Sequence, residues 1–123
     1  MLITVAGRRS GQLYTTPVNY VEDGATLIAI SSPSRTWWKN LRGGAPVRVL
    51  LRGRRLAGTG RVIEEPEEGA HWLGRLTACA PQYARYLHVE PDASGQPAKP
   101  AVLARLAQNR VVVLISDLRE QDR

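Results

Sequence analysis

Gly7-Arg8-Arg9-Ser10-Gly11-Gln12-Leu13-Tyr14-Thr15-Thr16-Pro17-Val18-Asn19-Tyr20-Val21 sets a basic, glycine-flanked turn directly before a run of hydroxyl-bearing and β-branched residues. That run has strand composition. Dinucleotide and Walker loops need a helix N-terminus after their glycines to meet phosphate. Gly7-Arg8-Arg9-Ser10-Gly11 has neither spacing, and no helix follows it. Any anion held here would therefore sit on a β-turn. Two guanidiniums, the Ser10 hydroxyl and backbone N–H groups freed by the glycines can donate to phosphate or carboxylate oxygens. The same residues also read as an ordinary hairpin turn with exposed arginines.

Strand signals continue on both sides of this turn. Residues 2–6 alternate weakly and run into the glycines, and Glu22-Asp23-Gly24 turns the 13–21 strand back into 26–31, which predicts a three-stranded meander. Ser34 is the expected N-cap of a short helix over 35–42, stopped by Gly43-Gly44, with Trp37 and Leu41 four apart on its docking side. Val47, Val49 and Leu51 alternate with Arg48, Leu50 and Arg52, and Gly53-Arg54 turns the chain into a further strand over 55–64. Gly58 and Gly60 inside that strand predict a bend or bulge, the device by which a sheet curls toward a barrel.

Beyond Glu65-Pro66 the periodicity becomes helical, with Glu67 and Glu68 in the first turn and Trp72, Leu73, Leu76 and Cys79 recurring along one side until Pro81. Cys79 reads as a small core residue, and His71 and His88 as surface or satisfied side chains. A short helical turn over 82–88 carries Tyr83 and Tyr86, residues 90–97 have loop composition, and 98–108 are weakly helical. The apolar run at 111–115 suits a strand buried on both faces. The expected fold is α+β: a six-stranded, curled antiparallel sheet, with a short helix between strands three and four and a helical insertion before the last strand.

Composition narrows the functional classes. The 123 residues, 43% hydrophobic, suggest one domain spanning 1–123 with a real but modest core. No apolar run is long enough to span a membrane, and residues 1–6 lack the basic start of a secretory signal, so the expected compartment is the cytoplasm. One cysteine and two histidines make a poor metal set. Fifteen of the seventeen basic residues are arginine, and the net charge is +6. This fits bidentate anion recognition but also follows from a GC-rich genome. Arg48, Arg52, Arg54, Arg55 and Arg61 form either a solvated face or a phosphate-tracking stripe.

Four segments, in order and near register, carry a resemblance: Gly7-Arg8-Arg9-Ser10-Gly11, Thr15-Thr16-Pro17, Tyr20-Val21-Glu22-Asp23-Gly24 and Trp37-Trp38-Lys39-Asn40-Leu41-Arg42. Together they resemble the deazaflavin-dependent nitroreductase and quinone-reductase family, whose members form split β-barrels. The resemblance covers 2–64 well and the remainder loosely. It implies an enzyme that passes hydride from reduced coenzyme F420, an 8-hydroxy-5-deazaflavin, to a small nitro, quinone or enone acceptor. It further implies that Arg8, Arg9, Ser10 and Gly11 hold the coenzyme's phosphate and acidic tail, and that Thr15, Thr16, Pro17 and Val18 border its ring. Ser31, Ser32, Arg35, Trp38 and Asn40 complete the implied cofactor-binding set, and Tyr83 and Tyr86 are the implied catalytic donors to the acceptor oxygen.

The chain departs from the family pattern at Tyr14, where many members carry a further cation, and at Ser31-Ser32-Pro33-Ser34-Arg35, where many carry a lysine and paired glycines. Arg35 would then replace the missing cation. The family habit also implies a homodimer. Two other readings remain open at this point: the same barrel binding FMN or haem as a reductase or carrier, and a basic module for nucleic acid or another polyanion. Nucleic acid is not the expected partner.

Overall fold

A computed structural model of the protein describes residues 1–80 and 110–120. Among these residues, seven strands form one antiparallel sheet: β1 (Leu2–Ala6), β2 (Leu13–Pro17), β3 (Asn19–Asp23), β4 (Thr26–Ser31), β5 (Ala45–Leu51), β6 (Arg54–Ile63) and β7 (Val111–Glu120). A 3₁₀ helix, Trp37–Leu41, links β4 to β5, and the helix α1 (Pro66–Cys79) follows β6.

The expected six strands are seven because the 13–21 run breaks at Val18. β2 pairs with β1, whereas β3 pairs with β4. In the sheet order β2-β1-β5-β6-β7-β4-β3 these two strands are the opposite edges, although only Val18 separates them in sequence. One residue spans a few ångströms, so the sheet must curl until its edges meet at that corner. Val18 is buried there, donating its N–H to the Met1 carbonyl at 2.9 Å and accepting from the Met1 ammonium at 3.2 Å. The expected meander is thus replaced by two hairpins at opposite edges of a half-open barrel.

Alternation decides which side chains fill the barrel. Ile3, Val5, Val47, Val49 and Leu51 point inward with Leu27, Ala29, Val113 and Ile115, and Trp37 and Leu41 plug the interior from the 3₁₀ helix. On the outer face of the other half, Ile28, Ile30, Val112 and Leu114 pack against Leu73 and Leu76 of α1. This double coverage explains the uninterrupted apolar run of β7, whose residues 111–115 are all buried. The helix begins, as expected, with Pro66 in its first turn and Glu67 and Glu68 near its positive end. Cys79 departs from expectation: it is exposed at the end of α1, because the buried stripe runs through Gly69, Leu73 and Leu76.

The bulge expected at the glycines is present, but the extra residue lies on the partner strand. The β6–β7 register slips between Ala57 and Thr59, and Asp117 of β7 takes a positive φ of 56°. Gly58 permits the approach: a Cβ there would stand 2.7 Å from the Ser116 carbonyl oxygen. Gly60 lies against Leu41 and Val47, where a Cβ would meet both within about 3.0 Å.

The linker helix is shorter than the sequence predicts. Its N-cap is Thr36, with no side-chain bond, instead of Ser34. Ser34 is engaged in the preceding turn, its hydroxyl 2.9 Å from that of Ser32. Tyr83, Tyr86, His88 and the expected helical segments at 82–88 and 98–108 lie outside the described residues.

Candidate functional site

The basic turn is built by its own backbone. Gly7 donates to the Gln12 carbonyl and Gly11 to the Gly7 carbonyl, each at 2.8 Å, and Gly11 adopts a φ of 69° that favours glycine. The Ser10 hydroxyl accepts the Gln12 N–H at 3.2 Å, which leaves Arg8 and Arg9 projecting from an exposed loop.

Two further segments converge on this turn. Asn40, in the 3₁₀ helix, accepts the Arg8 N–H at its Oδ1, and its main-chain carbonyl accepts the Arg8 Nε–H, both at 3.2 Å. Arg35 reaches across to donate to the Thr16 hydroxyl. The result is a cleft of about 940 Å³ whose one wall is Gly7, Arg8, Arg9 and Ser10. Tyr14, Thr15 and Thr16 of β2 form its base, and Ser34, Arg35, Thr36, Trp37, Lys39 and Asn40 close the opposite side. Four cations therefore border one concavity.

A second cavity of about 610 Å³ adjoins it through Arg35. Met1, Pro17, Val18 and Asn19 line one side, and Ile30, Ser31, Ser32 and Arg110 the other. Ser31 is buried; its hydroxyl accepts the indole N–H of Trp37 at 3.1 Å and donates to the Ser32 carbonyl at 3.2 Å.

The residues named from the sequence divide between these two spaces. Arg8, Arg9, Ser10, Thr15, Thr16 and Asn40 border the first, Pro17, Val18, Ser31 and Ser32 the second, and Arg35 both. Gly11 borders neither; its positive φ and its bond to the Gly7 carbonyl close the turn. Trp38 also borders neither: it is buried, with the Arg42 guanidinium 5.1 Å and the Lys39 ammonium 5.8 Å from its ring centre. Its indole nitrogen has no hydrogen-bond partner among the described residues. Lys39 and Tyr14 were not foreseen as cleft residues. Tyr14 could have been found from period two, since it stands two before Thr16 on the same face of β2 and pairs with inward-facing Val5.

The later arginines are largely answered by carboxylates. Arg52 meets Glu22 at 3.4 Å, Arg54 meets Glu120 at 2.8 Å and Arg61 meets Glu68 at 3.0 Å. Exposed pairs of this kind add little stability, but they neutralise much of what would otherwise be a polyanion stripe. On the far side of the sheet, Arg75 of α1 grips Asp23 of β3 through two bonds of 2.7 and 3.0 Å. These hydrogen bonds hold the Asp23 carboxyl below its ordinary value and raise the guanidinium in turn.

A model of the F420H(2)-dependent quinone reductase family matches residues 1–90. Among solved structures, a domain-swapped dimer is similar at a TM-score of 0.58 and 21% identity, with 94% of this chain and 78% of that one covered. The flavocytochrome Anf3 from Azotobacter vinelandii is similar at a TM-score of 0.53 and 13% identity, covering 99% of this chain and 62% of that one. The FAD and haem binding protein from Mycobacterium smegmatis gives a TM-score of 0.50 at 20% identity, covering 99% and 68%. At these identities the likeness to the three structures is one of fold.

Proposed function

Since the chain belongs to the F420H(2)-dependent quinone reductase family, we propose that its first cleft takes the acidic tail of coenzyme F420 and that the adjoining cavity takes the reacting end and a small electron-poor acceptor. The acceptor class is a quinone, nitro compound or enone. The observation that carries this reading is the convergence of Arg8, Arg9, Arg35 and Lys39 on one cleft from two segments distant in sequence. The donor set fits the group: guanidinium forks, an ammonium and hydroxyls suit phosphate and carboxylate oxygens.

When bound, the coenzyme supplies the hydride, so the chain's own side chains bind and orient rather than react. Arg8, Arg9 and Lys39 neutralise the tail. Arg35, bonded to Thr16 at the junction of the two cavities, holds a cation where a ligand would pass from one to the other. The buried Ser31 hydroxyl and the Val18 corner shape the second cavity. Tyr83 and Tyr86, outside the described residues, are the proposed donors to the acceptor oxygen.

No helix among the described residues is long and apolar enough to cross a membrane. We further propose that the enzyme is a homodimer, and a cytoplasmic location stays the expectation from the sequence. The domain-swapped dimer among the fold's relatives supports the pairing; light scattering at micromolar concentration tests it, and a monomer would contradict it. Flavin- and haem-binding relatives of the same fold keep FMN in view as the alternative ligand. Fluorescence titration of the purified protein with coenzyme F420 and with FMN decides between them. Saturable binding of the deazaflavin with quinone reduction is the expected result; tight FMN binding without any for the deazaflavin would reverse the assignment.

A further inference from the structure

We propose that the outer face of β1, β2, β5 and the first half of β6 is a docking surface for an anionic phospholipid bilayer. Helix α1 covers the outer face of the sheet only at β3, β4, β7 and the end of β6, where Ile28, Ile30, Ile63 and Leu114 pack with Leu73 and Leu76. Among the described residues no helix packs on the remainder. Leu2, Leu13 and Leu50 stand there, exposed by 39%, 57% and 40%, and Leu2 and Leu50 are directly paired across β1 and β5. Single exposed leucines are ordinary on a soluble protein, whereas leucines gathered on one uncovered face mark a binding surface. This inference does not depend on how the cleft is read.

Cations left unanswered elsewhere collect on the same face. Arg42, Arg52, Arg54, Arg61 and Arg75 each meet a carboxylate, and Arg8, Arg9, Arg35 and Lys39 border the cleft. Arg48, Arg55 and Arg119 are exposed and meet no carboxylate among the described residues. Strand pairing sets Thr15, Thr4, Arg48, Ala57 and Arg119 in one row across five strands, a width of roughly 20 Å. Pro17, Leu2, Leu50 and Arg55 form the adjacent row. The strands β1, β2, β5 and β6 contain no aspartate or glutamate. Between Arg48 and Arg55 lies a depression of about 250 Å³, bordered by Leu2, Leu50 and the paired hydroxyls of Thr4 and Thr15, 2.8 Å apart.

That pattern of charge and apolar surface selects the occupant. Guanidinium forks take lipid phosphate oxygens while their stems lie along the leucines, and the leucines enter the boundary between headgroups and acyl chains. A second copy docked face to face would set Arg48 and Arg55 against the same cations, with no carboxylate in these strands to answer them. Nucleic acid would meet the cations but leave the leucines without an apolar partner, and the two rows hold no aromatic platform for its bases.

Co-sedimentation with unilamellar vesicles tests the proposal, using phosphatidylcholine alone and phosphatidylcholine mixed with phosphatidylglycerol. The wild-type protein is expected to bind the mixed vesicles and not the neutral ones. Arg48→Gln with Arg55→Gln should weaken that binding about twentyfold, from about fivefold for each cation at a lipid surface. Arg52→Gln with Arg54→Gln removes the same charge from arginines already paired with Glu22 and Glu120, and should change it by less than about twofold. Leu50→Thr should weaken it about threefold or more through the apolar surface lost. These positions are all exposed, and thermal unfolding checks that each variant is folded. Should a variant not fold, the wild-type protein carries the test through salt, which should release it from the mixed vesicles. Failure to bind the mixed vesicles, equal binding to neutral ones, or equal losses in the two arginine pairs would overturn the proposal. Binding indifferent to Leu50→Thr or to salt would overturn it as well. Duplex DNA binding abolished by Arg48→Gln with Arg55→Gln, without vesicle binding, would reassign the face to nucleic acid.

Discussion

Trp37 donates its indole N–H to the Ser31 hydroxyl at 3.1 Å within the core. Trp37 borders the cationic cleft and Ser31 the second cavity, so one buried bond joins the walls of two adjoining spaces. It also ties the 3₁₀ helix to the last residue of β4. Trp37→Phe keeps most of the packing and deletes the donor. It is expected to cost about 1 to 2 kcal/mol, the usual range for one buried hydrogen bond and the packing lost with it. Urea denaturation with an unchanged midpoint would show that the bond contributes nothing.

Arg8→Ala combined with Arg9→Ala is expected to weaken coenzyme binding by roughly 2 to 4 kcal/mol, since charge-assisted bonds contribute about 1.5 to 3 kcal/mol each and do not simply add. The remaining affinity should also depend less on salt, because two exposed cations have left the cleft. Calorimetric titration at two ionic strengths measures both effects, and a full-strength, equally salt-sensitive variant would contradict the cleft's role.

Gly58→Ala would force a Cβ to within 2.7 Å of the Ser116 carbonyl oxygen at the β6–β7 bulge. The contact is with backbone, so neither strand can yield by a rotamer change. A loss of about 1 to 3 kcal/mol is expected, typical of overpacking in a close-fitting site. Thermal unfolding at wild-type temperature would mean that the bulge absorbs the methyl group.

Asp23 contributes stability in a pH-dependent way through Arg75. Its hydrogen bonds to Arg75 hold its carboxyl below the ordinary value of 3.8, so the folded state favours the ionised form. That contribution is complete above the unfolded value and fades as pH falls through the lower folded value. Arg75→Met should therefore be less stable than wild type from about pH 5 upward, and the two should converge on stronger acid. Melting curves that stay a constant distance apart across this range would exclude the linkage.

Much of the fold was legible where the relevant contacts are local. The alternation of Val47, Val49 and Leu51 with exposed neighbours, the turn at Gly53, and the first turn of α1 with Pro66, Glu67 and Glu68 all appear as their residue types predict. Ser34 misled because its hydroxyl has a competing partner in Ser32, an interaction that N-cap propensity does not weigh. Trp38 shows a different limit: adjacent tryptophans carry no sign of which one faces a cavity, and packing sets Trp37 at the cleft while Trp38 is buried outside its lining.

The sequence alone determined that this chain makes a basic β-turn, an antiparallel sheet and a closing strand buried on both faces, because hydrophobic period, glycine turns and charge are properties of neighbouring residues. Only the tertiary structure decided that the 13–21 run splits at Val18 between opposite sheet edges, and that Asn40 and Arg35 arrive beside Arg8 and Thr16. The reason is physical: closure of the barrel is a sum of long-range pairings, and a short stretch of chain carries its own conformational preferences but not the identity of the strand that will come to lie beside it.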